Sequence, residues 1–239
     1  MDTTAIEKLN DKKIFSIEGN IGAGKTTILK IIGKTFKDVS FVEEPISKWQ
    51  NLGGENLLEK FYENPERWCY SFEFYSMLTK VEALIKGANC DKSIIIIERS
   101  LLSNKIFIDI SKEMDKLNNM EYNILLKTWD FYIQNVYPQL SGIIYLNTPV
   151  DVCVNRIIQR NRNEECNVDK SYLNILHDKF KELSNESTIP TLVIDGNFDL
   201  ERDSLKIGEN IHNFMYSYQY VNAIIICNSG MIIFFYQLS

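Results

Sequence analysis

The chain has 239 residues, a formal net charge of −6 and a hydrophobic share of 45%, which suits one α/β domain with a substantial core. The acidic balance argues against a protein that binds a nucleic acid polymer, because such binding requires a basic surface. Five scattered cysteines without a C-x-x-C pair, and only two histidines, are typical of a reducing compartment and do not suggest a metal cluster.

The first predicted unit consists of a strand, a glycine-rich loop and a helix. The polar lead-in over residues 2–11 shows neither the apolar core nor the Arg-rich pattern of a targeting signal, so we expect a cytoplasmic protein. A buried strand over 13–17 and an amphipathic helix over 27–36 enclose residues 19–26, which fit the phosphate-binding pattern G-x-x-x-x-G-K-[ST]. The alternative is a glycine-rich turn that matches the pattern by chance, but such a turn would not require a strand before it and a helix after it.

Each residue type in this loop suits a bound triphosphate. The glycines allow positive φ angles, so that backbone N–H groups turn toward phosphate oxygens at a helix N-terminus. Lys25 is expected to reach the terminal phosphates, and the Thr26 hydroxyl to ligate Mg²⁺. The residues predicted to bind ATP here are Gly19, Asn20, Ile21, Gly22, Ala23, Gly24, Lys25, Thr26 and Thr27.

Strands and helices alternate through the next part of the chain. A β-branched strand over 39–42 is followed by Glu43 and Glu44, a Gly-Gly turn lies in 51–55, and helices are predicted over 57–62 and 65–87. The long helix carries an apolar stripe, which suits a core or an interface better than the wall of a ligand site. This stripe consists of Trp68, Phe72, Tyr75, Leu78 and Leu84.

A continuous apolar run over 93–97, closed by Glu98-Arg99-Ser100, predicts a strand that is covered on both faces. The other predicted elements are helices over 121–137, 149–159, 172–183 and 200–216, and strands over 142–146 and 191–194. The helix over 121–137 carries a second apolar stripe of Leu125, Trp129, Tyr132 and Val136. This alternation predicts an α/β P-loop NTPase fold with a doubly wound parallel sheet and helices on both faces.

The last residues do not fit this scheme. Two apolar runs, 223–227 and 231–236, are separated by an Asn-Ser-Gly sequence at 228–230, which is typical of a hairpin turn. Each run is far shorter than the ~20 residues of a membrane span, so we expect no membrane partner. We divide the chain into a P-loop domain over 1–217 and an apolar extension over 218–239. The extension is open to three interpretations: an extra strand pair, a dimer contact or a disordered appendage.

A cluster of cations follows the predicted strand over 142–146. Arg156 and Arg160 share one face of a helix, and Arg162 lies where that helix gives way to a loop. Beside a P-loop, three guanidinium groups can clamp a transferring phosphoryl group and close over ATP as a lid. The alternative is a solvated helix end. The predicted strand ends lack the Asn-Lys-x-Asp signature of a switch GTPase.

Two carboxylates, Glu44 and Glu98, each follow a predicted strand. If these strands flank the P-loop strand, both side chains point toward the γ-phosphate, where one can take a proton and the other can hold Mg²⁺ through water. Arg99 can orient the base and offset developing charge; the alternative is a simple Glu98–Arg99 salt bridge. The predicted catalytic residues are Glu44, Glu98, Arg99 and Lys25, and the predicted metal ligands are Thr26 and Glu98.

Six motifs occur in consistent order over residues 12–216. They are Glu18-Gly19-Asn20-Ile21-Gly22-Ala23-Gly24-Lys25-Thr26, Glu44-Pro45-Ile46-Ser47-Lys48-Trp49, Tyr62-Glu63-Asn64-Pro65-Glu66-Arg67-Trp68, Glu98-Arg99-Ser100, Gly142-Ile143-Ile144-Tyr145-Leu146 and Arg160-Asn161-Arg162-Asn163-Glu164-Glu165. Together they resemble the deoxynucleoside kinases, the family of deoxycytidine, deoxyguanosine and mitochondrial-type thymidine kinases. The set is far more specific than a P-loop alone.

The resemblance implies roles for individual residues. Glu44 matches the carboxylate beside the 5′-hydroxyl of the substrate and Arg99 its partner, while Glu98 matches an acid described as base or metal organiser, so both acids remain candidates for the base. Tyr62 and Glu165 match the pair that hydrogen-bonds the sugar 3′-hydroxyl. The walls of the base pocket are implied to be Trp49 and Phe72. The implied ATP contacts are the lid residues Arg156, Arg160 and Arg162, with Phe198, Asp199 and Leu200 near the adenine.

The resemblance also implies a homodimer. The two long aromatic helices are similar to those that pack as a four-helix bundle between subunits of this family. Such a bundle would explain their apolar stripes.

The chain departs from the family where the base is read. Glu73 stands in place of a Gln, Lys80 and Asn104 in place of an Arg and an Asp, and Ile108 in place of an aromatic residue. An ionised carboxylate only accepts hydrogen bonds, so Glu73 suits the paired N–H donors of guanine and repels the carbonyl oxygens of thymine. We expect a preference for deoxyguanosine or a broad, purine-tolerant pocket. The alternative is that Lys80 pairs with Glu73 and the pocket discriminates little between bases.

The sequence therefore predicts an ATP-dependent deoxynucleoside 5′-kinase that uses Mg²⁺. One alternative is a P-loop kinase that accepts nucleoside monophosphates, which would need an extra cation for the acceptor phosphate, with Lys48 as the local candidate. The other is a catalytically silent nucleotide-binding subunit. The catalytic carboxylates argue against a silent subunit, because it has no need for them.

Overall fold

The computed structural model describes residues 3–166, 168–216, 223–227 and 230–234. Its seven strands form one sheet in the order β2-β3-β1-β4-β5-β6-β7. Their bounds are Lys13–Gly19 (β1), Val39–Val42 (β2), Ile94–Glu98 (β3), Gly142–Asn147 (β4), Thr191–Asp195 (β5), Ala223–Cys227 (β6) and Gly230–Phe234 (β7). All neighbouring strands are parallel except β6 and β7, which are antiparallel.

Helices follow most strands, as the alternating pattern predicts. Their bounds are Thr3–Asn10 (α1), Lys25–Thr35 (α2), Ile46–Gln50 (α3), Leu57–Glu63 (α4), Pro65–Gly87 (α5), Leu101–Glu113 (α6), Asn119–Asn135 (α7), Val150–Arg160 (α8), Lys170–Glu186 (α9) and Leu200–Tyr216 (α10). A 3₁₀ turn, Asn163–Glu165, lies between α8 and α9. Among the described helices, none combines the length and hydrophobicity needed to cross a bilayer.

The sheet is covered on both faces, which confirms the predicted doubly wound α/β fold. Alternate residues of β1 point to opposite faces: Phe15 and Ile17 pack in one core with Ile28 of α2, and Ile14 packs in another with Phe180 of α9. In β3, all four isoleucines are buried. The strand covered on both faces that the continuous apolar run predicted is therefore confirmed.

The predicted bounds of α5 and α10 match the structure, but α1, within the expected polar lead-in, α3 and α6 were not predicted. α6 begins at an N-cap, where the Ser100 hydroxyl accepts a hydrogen bond from the Leu102 N–H at 3.1 Å. That capping residue was visible in the sequence directly after Glu98-Arg99. α7 begins two residues before its predicted start because Asn118 and Glu121 form a capping box.

The apolar extension contributes two strands to the sheet. β6 pairs in parallel with β5, and β7 pairs with β6 in antiparallel orientation. Of the three open interpretations, the structure thus shows the strand pair, and β6 rather than the strand over 191–194 is the last parallel strand. Residues 228 and 229 of the predicted turn lie outside the described residues.

The carboxyl ends of β1, β2 and β3 lie at one edge of the sheet, where open parallel sheets bind ligands. β1 continues into the P-loop, Glu98 ends β3, and Glu44 follows β2 by two residues. β3 lies between β2 and β1, so only the strand of Glu98 flanks the P-loop strand. The condition that both strands flank the P-loop strand thus holds for β3 and not for β2, which is the edge strand.

Candidate active site

The P-loop has the backbone that its glycines allow. Gly19, Gly22 and Gly24 have φ angles of 145°, 76° and 103°, a region in which a residue with a Cβ is strained. A Cβ at Gly22 would also lie 2.5 Å from the carbonyl oxygen of Cys153 in α8. The loop therefore packs closely against α8 while it leads into the N-terminus of α2, a site suited to anions.

Lys25 is buried at the base of the loop. Its Nζ donates to the carbonyl oxygen of Asn20 at 2.7 Å. Burial, with the nearby charge of Arg99, lowers the pKa of Lys25 to about 7. The Lys25 amine is therefore only partly protonated at physiological pH, and an anion beside it would favour the charged form.

Thr26 and Glu98 meet at the first turn of α2. The Thr26 hydroxyl donates to Glu98 Oε1 at 2.9 Å. A hydroxyl and a carboxylate are oxygen ligands of the kind that Mg²⁺ prefers, and Mg²⁺ commonly binds through one or two carboxylates together with substrate phosphates. These two side chains fit a magnesium site beside the P-loop.

Glu44 lies between two cations. Arg99 Nη1 is 3.3 Å from Glu44 Oε2, and Lys80 Nζ is 3.3 Å from Glu44 Oε1. Burial raises the pKa of Glu44, but the charges of Arg99, Lys80 and Lys25 outweigh burial and hold the pKa below its ordinary value. Glu44 is thus ionised at neutral pH. Arg99 contacts Glu44 and not Glu98, so the geometry does not support a simple Glu98–Arg99 salt bridge.

The turn that presents Arg99 has a left-handed backbone, with φ of 60° at Arg99. Arg99 Nη2 donates to the Gly19 carbonyl oxygen at 3.1 Å. Behind this turn, the fully buried Glu18 accepts hydrogen bonds from the Ser100 N–H at 2.9 Å and from the hydroxyls of Ser100 and Ser103. Sequence reasoning assigned no role to Glu18, because its partners Ser100 and Ser103 lie 82 and 85 residues away in the chain.

An aromatic pocket opens next to Glu44. Trp49 and Phe72 form two of its walls, with ring centroids 5.3 Å apart and an edge-to-face angle of 77°. The Trp49 N–H donates to the Thr79 hydroxyl at 2.8 Å. Phe61, which sequence reasoning missed, stacks on Phe72 at 4.5 Å. Trp49, Phe61 and Phe72 therefore form a packed aromatic wall against which a flat ring can lie.

A polar chain forms the inner edge of this pocket. Asn104 Nδ2 donates to Glu73 Oε2 at 3.1 Å, and Lys80 Nζ donates to Asn104 Oδ1 at 3.1 Å. Lys80 thus reaches Glu73 only through Asn104, and its ion pair is with Glu44. Burial raises the pKa of Glu73 to about 7, although the hydrogen bond from Asn104 acts in the opposite direction. The alternative of a direct Lys80–Glu73 pair is therefore not supported.

Tyr62 and Glu165 line the cleft together with two lid arginines. The Glu165 carboxylate binds Arg162 Nη1 at 2.7 Å and Arg160 Nη2 at the other oxygen. Burial, with the charge of Glu165, raises the pKa of Tyr62 above its ordinary value, so the phenol stays protonated as a donor. A hydroxyl between Tyr62 and Glu165 would find one donor and one acceptor.

The remaining predicted ATP residues lie around the outer side of the loop. Arg156 Nη1 donates to the Ala23 carbonyl oxygen at 2.8 Å, and its guanidinium lies 5.1 Å from the ring centroid of Phe198. Ile21 lines the cleft, and Thr27 is half-buried in α2. The Asp199 carboxylate accepts from the Arg202 N–H at the start of α10, which begins at Leu200.

Two predicted residues do not turn toward the cleft. The Asn20 side chain donates to the Leu173 carbonyl oxygen at 2.8 Å and so ties the P-loop to α9. Lys48, the candidate cation for an acceptor phosphate, forms an ion pair with Glu82 at 2.5 Å on the outer surface. The cleft thus combines a phosphate loop, a buried ionised acid and an aromatic pocket, which suits phosphoryl transfer to a hydroxyl on a flat-ringed molecule.

Comparison with known proteins agrees with this geometry. The family model described as deoxynucleoside kinase matches residues 15–216. A protein of fowlpox virus (strain NVSL) named probable deoxycytidine kinase is 36% identical over 216 residues, covering 87% of this chain and 90% of that protein. Deoxycytidine kinase of Mus musculus is 32% identical, covering 89% and 94%. Mitochondrial deoxyguanosine kinase of Xenopus laevis is 32% identical, covering 84% and 87%.

Lys25 should take up a proton when a polyphosphate binds. At pH 8 the side chain is mostly neutral, because its pKa of about 7 lies below that pH, and an adjacent anion raises the pKa. Calorimetry with tripolyphosphate or ATP, in Tris and in HEPES, should give an uptake approaching one proton at pH 8. The uptake should disappear in Lys25→Arg, since arginine is always charged. Equal uptake by both proteins would contradict this assignment.

Proposed function

The chain belongs to the deoxynucleoside kinase family of phosphotransferases, and we propose that it transfers the γ-phosphoryl group of ATP to the 5′-hydroxyl of a deoxynucleoside. The observation that carries this proposal is the position of Glu44, a buried and ionised carboxylate between the aromatic pocket and the P-loop. A nucleoside whose base lies against Trp49 and Phe72 would present its 5′-hydroxyl toward that carboxylate.

In the proposed reaction, Glu44 accepts the proton of the 5′-hydroxyl while the 5′-oxygen bonds to the γ-phosphorus. The bond between the γ-phosphorus and the bridging oxygen breaks, and ADP leaves. A carboxylate with a lowered pKa is a weak base, but phosphoryl transfer depends more on alignment and charge stabilisation than on base strength. Lys25 and the lid arginines Arg160 and Arg162 offset the charge on the phosphoryl oxygens.

We assign the second acid, Glu98, to metal binding. Thr26 and Glu98, which are hydrogen-bonded to each other, would hold Mg²⁺ between the loop and the terminal phosphates. When bound, Mg²⁺ supplies charge neutralisation to the β- and γ-phosphate oxygens. Glu98 ends β3, the strand next to β1, whereas Glu44 follows the edge strand β2. The two acids thus enter the cleft from different strands, in keeping with different roles.

The two alternatives have less support. A nucleoside monophosphate acceptor needs a free cation near its phosphate, and Lys48 is engaged by Glu82 outside the cleft. A silent subunit would have no use for Glu44, whose burial between Arg99 and Lys80 carries a large desolvation cost.

The base pocket favours guanine when Glu73 is ionised. Its carboxylate would accept from the N1–H and N2–H groups of guanine, and Lys80, on the other side of Asn104, can donate to O6. When Glu73 is protonated, it offers one donor and one acceptor, as a glutamine does, which suits N3 and the N4 amino group of cytosine. The names of the relatives include both deoxycytidine and deoxyguanosine kinases, and we propose that this chain accepts both substrates.

We further propose that the chain forms a homodimer through α5 and α7. The predicted stripe residues Leu125, Tyr132 and Val136 are buried within the chain, so they do not supply the interface. An exposed apolar face lies beside them on the same two helices. It consists of Phe74, Leu78, Ile124 and Phe131, which are 38–54% exposed, and such contiguous apolar faces mark interfaces.

The kinase proposal is tested by ADP release with each deoxynucleoside and with each deoxynucleoside monophosphate. We expect ADP only with deoxynucleosides and only with Mg²⁺ present. Glu44→Gln should lower kcat by about 10²–10⁴-fold, and Glu98→Gln should raise the Mg²⁺ concentration required. The neighbouring, exposed Glu43→Gln is the matched control and should leave kcat unchanged. Activity with monophosphates alone would refute the proposal.

Base preference should change with pH. Glu73 loses its proton as pH rises through about 7, so the ratio of kcat/KM for deoxyguanosine to that for deoxycytidine should rise between pH 6 and pH 8. The ratio cancels pH effects on the shared chemistry. Glu73→Gln should make it independent of pH and favour deoxycytidine. A native protein that prefers thymidine, or a ratio that does not respond to pH, would rule out this role of Glu73.

The dimer is tested by analytical ultracentrifugation. The molar mass from sedimentation of the native protein should be twice the 27.8 kDa of one chain. Phe131→Asp should have the mass of a monomer, because a charge in an apolar interface is unfavourable. Leu205→Asp, at an exposed leucine on α10, is the control and should remain dimeric. A monomeric native protein would contradict the proposal.

A further inference from the structure

The 3₁₀ turn Asn163–Glu165 carries two adjacent carboxylates, of which only Glu165 was predicted to contact the substrate, at the sugar 3′-hydroxyl. Both are buried, Glu164 at 9% and Glu165 at 4% exposure. They bind different parts of the molecule. Glu164 Oε1 accepts from Gln50 Nε2 and from Asn56 Nδ2, each at 2.8 Å.

These two amides belong to the helices that carry the acceptor site. Gln50 is the last residue of α3 and directly follows the pocket wall Trp49. Asn56 is the N-cap of α4, where its Oδ1 accepts from the Glu59 N–H at 3.0 Å. Asn56 therefore uses its oxygen to cap α4 and its amino group to bind Glu164. The last turn of α4 holds Tyr62.

Glu165 itself is held only from the lid side. Among the described residues, its carboxylate hydrogen-bonds to Arg160 and Arg162 and to no residue of α3 or α4. The turn is three residues long and follows a left-handed residue, Asn161, with φ of 50°. The turn packs against α4. Within this contact, Glu164 supplies the side-chain hydrogen bonds that join the turn to the end of α3 and to the N-cap of α4.

We propose that Glu164 is a positioning residue for recognition of the sugar 3′-hydroxyl. By joining the 3₁₀ turn to α3 and α4, it sets the spacing between the Glu165 carboxylate and the Tyr62 hydroxyl. This inference rests on the proposed kinase function and deepens it, because it explains how the chain selects acceptors that carry a 3′-hydroxyl. Both partners of Glu164 are neutral amides, so an acceptor oxygen is required and a negative charge is not.

The test compares a deoxynucleoside with the 2′,3′-dideoxynucleoside of the same base. The native enzyme should prefer the first, because a site built to bind a hydroxyl rejects the analogue that lacks it. Glu164→Ala should lower the ratio of the two kcat/KM values by at least about 10-fold, the effect of one hydrogen bond to a charged group. The loss should appear mainly as a higher KM for the 3′-hydroxyl substrate, with the dideoxy substrate unchanged.

Three variants distinguish positioning from a loss of stability. Glu164→Gln keeps the acceptor oxygen and should behave like the native enzyme. Asn56→Asp keeps the cap of α4 but removes the donor, and it should reproduce the loss even if Glu164→Ala does not fold. Asn163→Ala, at an exposed residue of the same turn, should leave the ratio unchanged.

The outcomes separate this inference from the proposed function. Equal losses for both substrates in Glu164→Ala and Asn56→Asp would show a structural role only and overturn the inference. A native enzyme that phosphorylates both substrates equally would overturn it too, while the kinase function would stand. A native protein that phosphorylates no deoxynucleoside would overturn both.

Discussion

The site depends on one buried acid that stays ionised. Glu44 is almost completely buried in the cleft, where desolvation opposes its charge, and it remains ionised because Arg99 and Lys80 each contact one of its oxygens. Removing either cation would leave one buried carboxylate oxygen without its charged partner, which disfavours the ionised form. The same two cations connect the acid to other parts of the cleft: Arg99 to the P-loop carbonyl of Gly19, and Lys80 to the base pocket through Asn104.

The fold supplies this arrangement through two turns at the carboxyl ends of its central strands. After β1, three glycines with positive φ wrap the backbone around the phosphate position. After β3, a left-handed Arg99 sends its guanidinium back toward β1 and Glu44, while Glu18 binds the backbone and hydroxyls of the next turn. Two buried carboxylates that accept hydrogen bonds from neutral donors thus hold segments around the site in place. Glu18 binds the turn after Arg99, and Glu164 binds the end of α3 and the N-cap of α4.

Features set by local patterns could be predicted from the sequence, and features set by distant contacts could not. The P-loop, β2 and the bounds of α5 and α10 follow from spacing, glycines and caps that lie within a few residues. The partners of Glu18 and Glu164 are separated from them by 82 and 108 residues, so no local pattern identifies them. A Lys80–Glu73 pair was a possible alternative because the two residues lie seven apart on one helix. In the structure Lys80 pairs with Glu44 instead, since the loop after β2 brings that carboxylate to the helix.

In the proposed enzyme, Glu44 faces the acceptor hydroxyl while two cations keep it ionised. A crystal structure with a bound deoxynucleoside and a non-hydrolysable ATP analogue would give the distance between Glu44 and the 5′-oxygen. We predict that a Glu44 oxygen lies within hydrogen-bonding distance of the 5′-oxygen, with Arg99 still on the other carboxylate oxygen and the γ-phosphate in line. A Glu44 carboxylate that lies farther from the 5′-oxygen than one bridging water, with another residue at that position, would contradict the account.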